Sequence, residues 1–394
     1  MPFPLYLLAL AVFAQGTSEF MLSGLLSDIA SDLDVSIPAA GQLTSAFAVG
    51  MVVGAPLMAV LSRRFSRRGA LLAFLLTFLL VHVVGALTTS FAVLLATRVI
   101  GALANAGFLA VALVTATAMV GPDAKGRAAS VLLGGVTVAC VAGVPAGALL
   151  GTAWGWRSAF WAVALISVPA VLAIARAVPA GAPESGGPGA LGELGALRAP
   201  RLLVTLLLGA LVNGATFCTF TYLAPLVTDV TGLGTGWVPV VLALFGIGSF
   251  IGVGLGGRLA DTRPLPLLVC GSLALLTGWV LFAVTAAHPV AAVALALVQG
   301  ALSFAVGSTL ISQVLYAASG APTLAGGFAT AAFNVGGALG PWCGGLAISA
   351  GFGYRGPLWV SALLVALALA VGGAALALRR AAPAPAVAQS RASS

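Results

Sequence analysis

The chain has 394 residues, of which 61% are hydrophobic and 7% charged, and its mean hydropathy is +1.15. A soluble domain carries about 25% charged residues, so this composition excludes a water-facing shell and makes lipid the solvent for most of the surface. The net charge of +8 would point to nucleic acid in a soluble protein, but here the basic residues fall in short loops between apolar runs, where they orient helices.

A helix rising 1.5 Å per residue needs about 20 residues to cross a ~30 Å hydrocarbon core. The first run that satisfies this, 4–26, has no Lys or Arg before it and exceeds signal-peptide length, so it reads as a spanning helix and not a secretory leader. Five more follow at 39–61, 70–87, 91–120, 129–150 and 158–177. A Gly- and Pro-rich stretch, 179–200, then interrupts the pattern as a flexible linker. The second set runs 202–224, 237–256, 265–287, 289–316, 326–350 and 357–378, leaving 381–394 as a disordered cytoplasmic tail. The expected fold is an all-α membrane protein of twelve transmembrane helices, with one six-helix bundle in 1–178 and a second in 201–380.

Cations set the expected orientation. With the N-terminus inside, fourteen basic residues lie in cytoplasmic segments, and only Arg157 and Arg355 lie outside. This bias places a multi-pass protein in the cell membrane with both termini cytoplasmic.

The two sets match each other at a constant shift of 198 residues. The GWRSAFW segment around Arg157 aligns with GYRGPLW around Arg355. Phe47, Gly50 and Gly54 align with Phe245, Gly248 and Gly252, and Gln15-Gly16 aligns with Asn213-Gly214. One register held across separate regions marks a duplication. Two such halves related by an axis along the membrane normal enclose a cavity between them.

At the loop after the eighth span the chain reads GGRLADTR, with Arg258 and Asp261, and the matching loop after the second reads AVLSRRFSRR, with Arg64, Arg67 and Arg68. The fourth span opens LLATRVIGA around Arg98. The fifth carries GVPAG (Gly143, Pro145, Gly147) and the eleventh GGALGPWCGG (Gly340, Pro341, Gly344). These motifs resemble the major facilitator superfamily over essentially the whole chain. In that family the loops act as gates, and the glycine-proline motifs are typical of antiporters. Arg63 stands where the first loop's acid would be, so a gating ion pair is expected only in the second half. The first-span segment GTSEFMLSGLLSDIASDLDVS is similar to the drug:proton antiporter branch, and the overall sequence resembles chloramphenicol exporters of actinomycetes. The resemblance implies proton-coupled efflux of a small neutral amphipathic drug by alternating access, conferring resistance. It implies no cofactor, protons, lipid and drug as partners, no nucleic acid, and a functional monomer. An exporter of a sugar, nucleoside or other metabolite would present the same motifs.

Two ionisable residues lie deep in the spans, Glu19 and Arg98, each at a cost of roughly 2.5–3.5 kcal/mol. Both sit seven residues from the outer boundary, about 10 Å deep, the arrangement of an ion pair or a proton-switched pair. Glu19 is the expected protonation site and Arg98 the residue that tunes it; a static salt bridge is the competing reading. Polar and aromatic residues sharing faces give the expected substrate contacts: Gln15 on the first span, Asn105 on the fourth, Asn213 and Phe217 on the seventh, and Phe333 and Asn334 on the eleventh. Amides at these places serve equally well to tie helices together. His82 reads as a hydrogen-bonded core residue, Asp28, Asp32 and Asp34 as a solvated outer loop, and Arg157 and Arg355 as partners of backbone carbonyls or headgroups. The four cysteines lack metal-site spacing. The sequence has no H-E-x-x-H pair and no nucleotide-binding G-x-x-x-x-G-K-[ST] loop, which sets a membrane-embedded enzyme and ATP drive behind transport.

Overall fold

The computed structural model describes residues 2–62, 65–121, 125–178, 194–259, 263–318 and 325–381. The chain order is α1 (Phe3–Phe20), α2 (Leu26–Asp32), α3 (Ile37–Ser62), α4 (Arg67–Leu87), α5 (Phe91–Ala118), α6 (Lys125–Val138), α7 (Val144–Trp154) and α8 (Arg157–Ala177). Then come α9 (Pro200–Thr221), α10 (Trp237–Leu259), α11 (Pro264–Thr285), α12 (Pro289–Ala317), α13 (Ala325–Ala347) and α14 (Gly356–Ala381). By length and composition the described residues hold eleven candidate membrane spans, the last of which, Ala325–Leu378, is 54 residues long. That last stretch is broken between α13 and α14, where Gly351 and Gly353 take φ of 90° and 60°. Large apolar side chains such as Leu80, Leu165, Phe250 and Leu363 are exposed on the outside of the bundle, a surface that lipid solvates.

Local chemistry sets the ends of these helices. Ser66 accepts a hydrogen bond from the Gly69 N–H at 3.2 Å to cap α4, and Ser36 does the same for Ala39 before α3. Pro145 lacks the N–H that would continue the helix and crowds the carbonyl four residues back. Immediately before it, α6 passes into α7 through a π-helical turn, Ala139–Gly143. The expected acidic loop is partly helical, because Asp28 and Asp32 lie on α2.

The shift of 198 residues recurs in the geometry. Asp34 and Gly232 have φ of 51° and 73°, and Gly155 and Gly353 have φ of 78° and 60°; each pair is 198 residues apart. Gly50 on α3 packs on the Val99 backbone of α5, and Gly248 on α10 packs on the Leu297 backbone of α12, again at the same shift. Only small residues let two helix backbones approach this closely.

The halves meet through the helix ends farthest from the termini. The Ser45 hydroxyl on α3 donates to the Ala338 carbonyl of α13 at 2.7 Å. Gly41 lies against the Tyr222 ring, and Gly246 of α10 against the Cys140 carbonyl. The π turn and α7 pack on α10, whereas α6 packs on α1 and α5 of its own half. Among the described residues the seal therefore lies on the side opposite the termini. The glycine-proline motifs face inward within each half: Gly143 lies against Thr17 of α1 and Gly147 against Met21 just after it, while Gly336 and Gly340 lie on the α9 backbone.

Candidate functional site

Arg98 is 2% exposed on α5 and is held by one residue of α1. Its Nη1 donates to Ser18 Oγ and its Nη2 to the Ser18 carbonyl, both at 2.8 Å. Ser18 lies in the last turn of α1, before a 3-10 turn at Met21–Gly24. Carbonyls at a helix C-terminus lack helical partners and carry the negative end of the dipole, so a guanidinium is favourable there. The guanidinium also stands over the Phe47 ring, 4.5 Å from its centroid.

His82 of α4 closes the cluster. Its Nδ1 lies 2.6 Å from the Phe78 carbonyl and its Nε2 lies 2.6 Å from Ser18 Oγ. A carbonyl can only accept, so Nδ1 carries a proton, and in the neutral imidazole Nε2 is left as an acceptor. The expectation of a hydrogen-bonded core histidine holds, and its partner is the residue that grips Arg98.

Glu19 does not pair with Arg98. It is half-buried and, among the described residues, has no hydrogen-bond or ion-pair partner. The reason is helix phase: Glu19 is one residue past Ser18, about 100° further round α1. It remains within electrostatic reach of both Arg98 and Cys140. The equal depth read from the sequence is compatible with this proximity, but the direct contact belongs to Ser18.

The amides divide. Asn105 donates to the Met51 sulfur at 3.6 Å, Asn213 to the Phe333 carbonyl at 2.6 Å, and Asn334 to Thr330 on its own helix at 2.9 Å. The first two tie α5 to α3 and α9 to α13. Gln15 is 1% exposed, and neither its Nε2 nor its Oε1 has a partner among the described residues. Burying an amide unpaired costs free energy, so Gln15 is the amide with capacity left for a ligand, a water or a second conformation.

Phe217 lies in a chain of rings that crosses between the halves. Phe20 of α1 stacks on Phe217 of α9 at 5.6 Å, and Phe217 meets Phe220 edge-on at 6.1 Å. Phe220 contacts Phe245 at 4.8 Å, and Phe245 contacts Phe304 at 6.4 Å. With Cys140 these rings line a space with room for about one water. Drug-sized sites run about 300–1,000 Å³, so a ligand of that size enters only when the halves part. Sequence reading found Phe217 and missed Phe20, Phe220 and Phe304. The i, i+3 spacing of Phe217 and Phe220 was the available signal, whereas their partners on other helices left none.

On the sealed side, Arg157 donates to Asp32 at 2.6 Å and to the Thr88 carbonyl at 3.0 Å, and its guanidinium stacks over Trp156. The hydrogen bond from Arg157 holds the Asp32 carboxyl below its ordinary range, while burial pushes the Asp28 carboxyl up. The carbonyl partner of Arg157 was expected; the carboxylate was not. Of the loop motifs, Arg67 and Arg68 open α4 and Arg258 is exposed near the end of α10. Arg64 and Asp261 lie outside the described residues, as do most of the linker and 382–394.

Comparison with known proteins places this architecture. A family model described as Major Facilitator Superfamily matches residues 8–324. The chain is 58% identical over 374 residues to a chloramphenicol resistance protein of Streptomyces lividans, covering 94% of this chain and 95% of that one. It is 36% identical to the inner membrane transport protein YdhP of Escherichia coli K12, over 93% and 94% of the two chains. Among solved structures it superposes on a bacterial homologue of the human lysosomal transporter Spinster, crystallised inward-facing and unoccupied. That match has a TM-score of 0.78 at 18% identity and covers 98% of each chain.

Proposed function

Since the chain belongs to the Major Facilitator Superfamily, we propose that it exports chloramphenicol, or a neutral amphipathic compound like it, in exchange for protons. The observation that carries this is the 58% identity to a chloramphenicol resistance protein, spread over 94% of the chain. The protein is a transporter and not an enzyme. The break at Gly351–Gly353 supports reading the last apolar stretch as two crossings, and so twelve crossings in bundles of 1–178 and 201–380. The sequence's fourteen basic residues in the segments assigned to the inside, against two in the outer loops, support a cell-membrane protein with both termini cytoplasmic. It works as a monomer without a cofactor.

The mechanism follows from a closed aromatic space beside a carboxyl. The rings of Phe20, Phe217, Phe220 and Phe245 offer apolar faces to an aryl group, and Gln15 offers an amide for its polar substituents. Glu19, adjacent to Phe20 on α1, carries the proton. A protonated Glu19 is neutral and buries readily as the halves rock; a drug entering beside it favours the other proton state. Coupling arises because both cargoes bias the same movement.

The test is accumulation of radiolabelled chloramphenicol in drug-sensitive cells with and without the protein. Expression is expected to lower accumulation several-fold, and a protonophore to restore it. Equal accumulation with and without the protein, before and after protonophore, would remove the substrate from the account.

A further inference from the structure

The polar chain of Arg98, Ser18 and His82 has a feature that carrying a proton on Glu19 does not by itself require. We infer that Ser18 and His82 are positioning residues that park Arg98 away from Glu19 and so decide the pH at which transport couples to a proton. This rests on the reading of Glu19 as the coupling carboxyl and adds the device that sets its operating range.

Valence fixes the direction of each bond. The Phe78 carbonyl takes the Nδ1 proton of His82, so in the neutral imidazole Nε2 accepts. Ser18 has one hydroxyl proton, and at 2.6 Å that proton goes to Nε2. Its oxygen is then free only to accept, and Arg98 Nη1 fills it at 2.8 Å. The Ser18 carbonyl takes Nη2. Both ends of the guanidinium fork are thus held by one residue whose polarity is set by His82. The imidazole is fixed in turn by Phe78, with ring centroids 4.2 Å apart. Nη1 and Nη2 are thus turned toward Ser18, Nε–H has no partner among the described residues, and Glu19 is left unpaired.

The cluster is not a requirement of the fold. Residues 198 further along are Thr216, Val280 and Ala296 in place of Ser18, His82 and Arg98. The second half builds the same helix packing without a charge or an imidazole there, and the Thr216 hydroxyl bonds back to the Val212 carbonyl. The polar set was therefore placed in one half for a reason other than holding helices together. The titratable groups facing Arg98 are few: Glu19 on α1, His82 on α4 and, near Glu19, Cys140 in the π turn before α7. The α3 face presents Phe47.

If the Ser18 hydroxyl is removed, the carbonyl still holds Nη2 but Nη1 is freed, and the carboxyl within its electrostatic reach is Glu19. An adjacent cation favours the carboxylate over the acid. Coupling would then need more protons in solution.

The experiment uses the full chain in proteoliposomes, following chloramphenicol flux driven by an imposed pH gradient from about pH 5.5 to 8.5. Ser18→Ala and His82→Leu are expected to move the midpoint of the pH profile acidward by about one unit, a tenfold change in proton concentration. His82→Gln, which keeps an acceptor near Nε2, is expected to restore the wild-type midpoint. Chloramphenicol counterflow without a gradient serves as the check that each variant is folded. Should His82→Leu fail that check, Ser18→Ala, which removes one oxygen, carries the same expectation. Folded variants with the wild-type midpoint overturn the positioning role. Wild-type protein that exchanges chloramphenicol but shows no gradient-driven flux overturns the coupling reading instead.

Discussion

Replacing Glu19 by glutamine is expected to reduce the drug gradient the protein can sustain from several hundred-fold to about one. One proton entering the cell supplies about 1.4 kcal/mol per pH unit and about 2.3 kcal/mol per 100 mV. Together, at one unit and 100 mV, these support roughly a 500-fold gradient of a neutral drug, since each 1.4 kcal/mol is tenfold. Glutamine keeps the size and hydrogen-bonding capacity of a protonated carboxyl but cannot release a proton. The protein would still bind drug and rock, so exchange of labelled for unlabelled drug persists while uphill transport is lost. The site favours this outcome because Glu19 has no partner among the described residues whose loss would unfold α1. Efflux that stays uphill in Glu19→Gln, measured at matched expression, would take Glu19 out of the coupling step.

The second large effect is structural. Gly340→Val is expected to abolish transport and to lower stability by more than the roughly 1–3 kcal/mol typical of overpacking. A Cβ at Gly340 would come within 2.9 Å of the Gly214 carbonyl carbon, and closer still to its oxygen. Backbone cannot step aside as a flexible side chain can, so α9 and α13 must separate. Their separation also disturbs the bond from the Tyr222 hydroxyl to the Pro341 carbonyl at 2.8 Å. The matched control is Gly254→Ala on α10, where an added Cβ meets nothing within 4 Å. Thermal unfolding of detergent-solubilised protein is expected to separate the two variants clearly. Equal melting temperatures would mean that the close approach of α9 and α13 is not what the glycines provide.

The spanning helices were legible because a lipid-facing helix must be apolar along its whole length, and few other structures ask that of 20 residues in a row. The duplication was legible for a related reason: a turn needing positive φ, as at Gly155 and Gly353, restricts residue choice in both halves alike. The break before α14 could be read from the same turn. Arg98 announced itself by the cost of a buried cation, but its partner did not. Depth along a helix follows from counting residues, whereas Ser18 and Glu19 differ in which way they face, and that depends on how α1 is rotated against α5. The aromatic space was hidden more completely, since Phe217 and Phe304 come together only through packing of α9, α10 and α12, and Phe20 of α1 joins them only across the halves. Asn213 shows the same limit from the other side. Its spacing suggested a ligand contact, and only the fold brings the Phe333 carbonyl within 2.6 Å of it.

The most direct test of drug and proton sharing one carrier is reciprocity, because coupling between two bound species works in both directions. In proteoliposomes holding a pH-sensitive dye, an inward chloramphenicol gradient imposed without any pH gradient is expected to drive protons outward and make the lumen alkaline. That response should vanish in Glu19→Gln. Drug entering through the wild-type protein while the lumen stays at its starting pH would contradict the account.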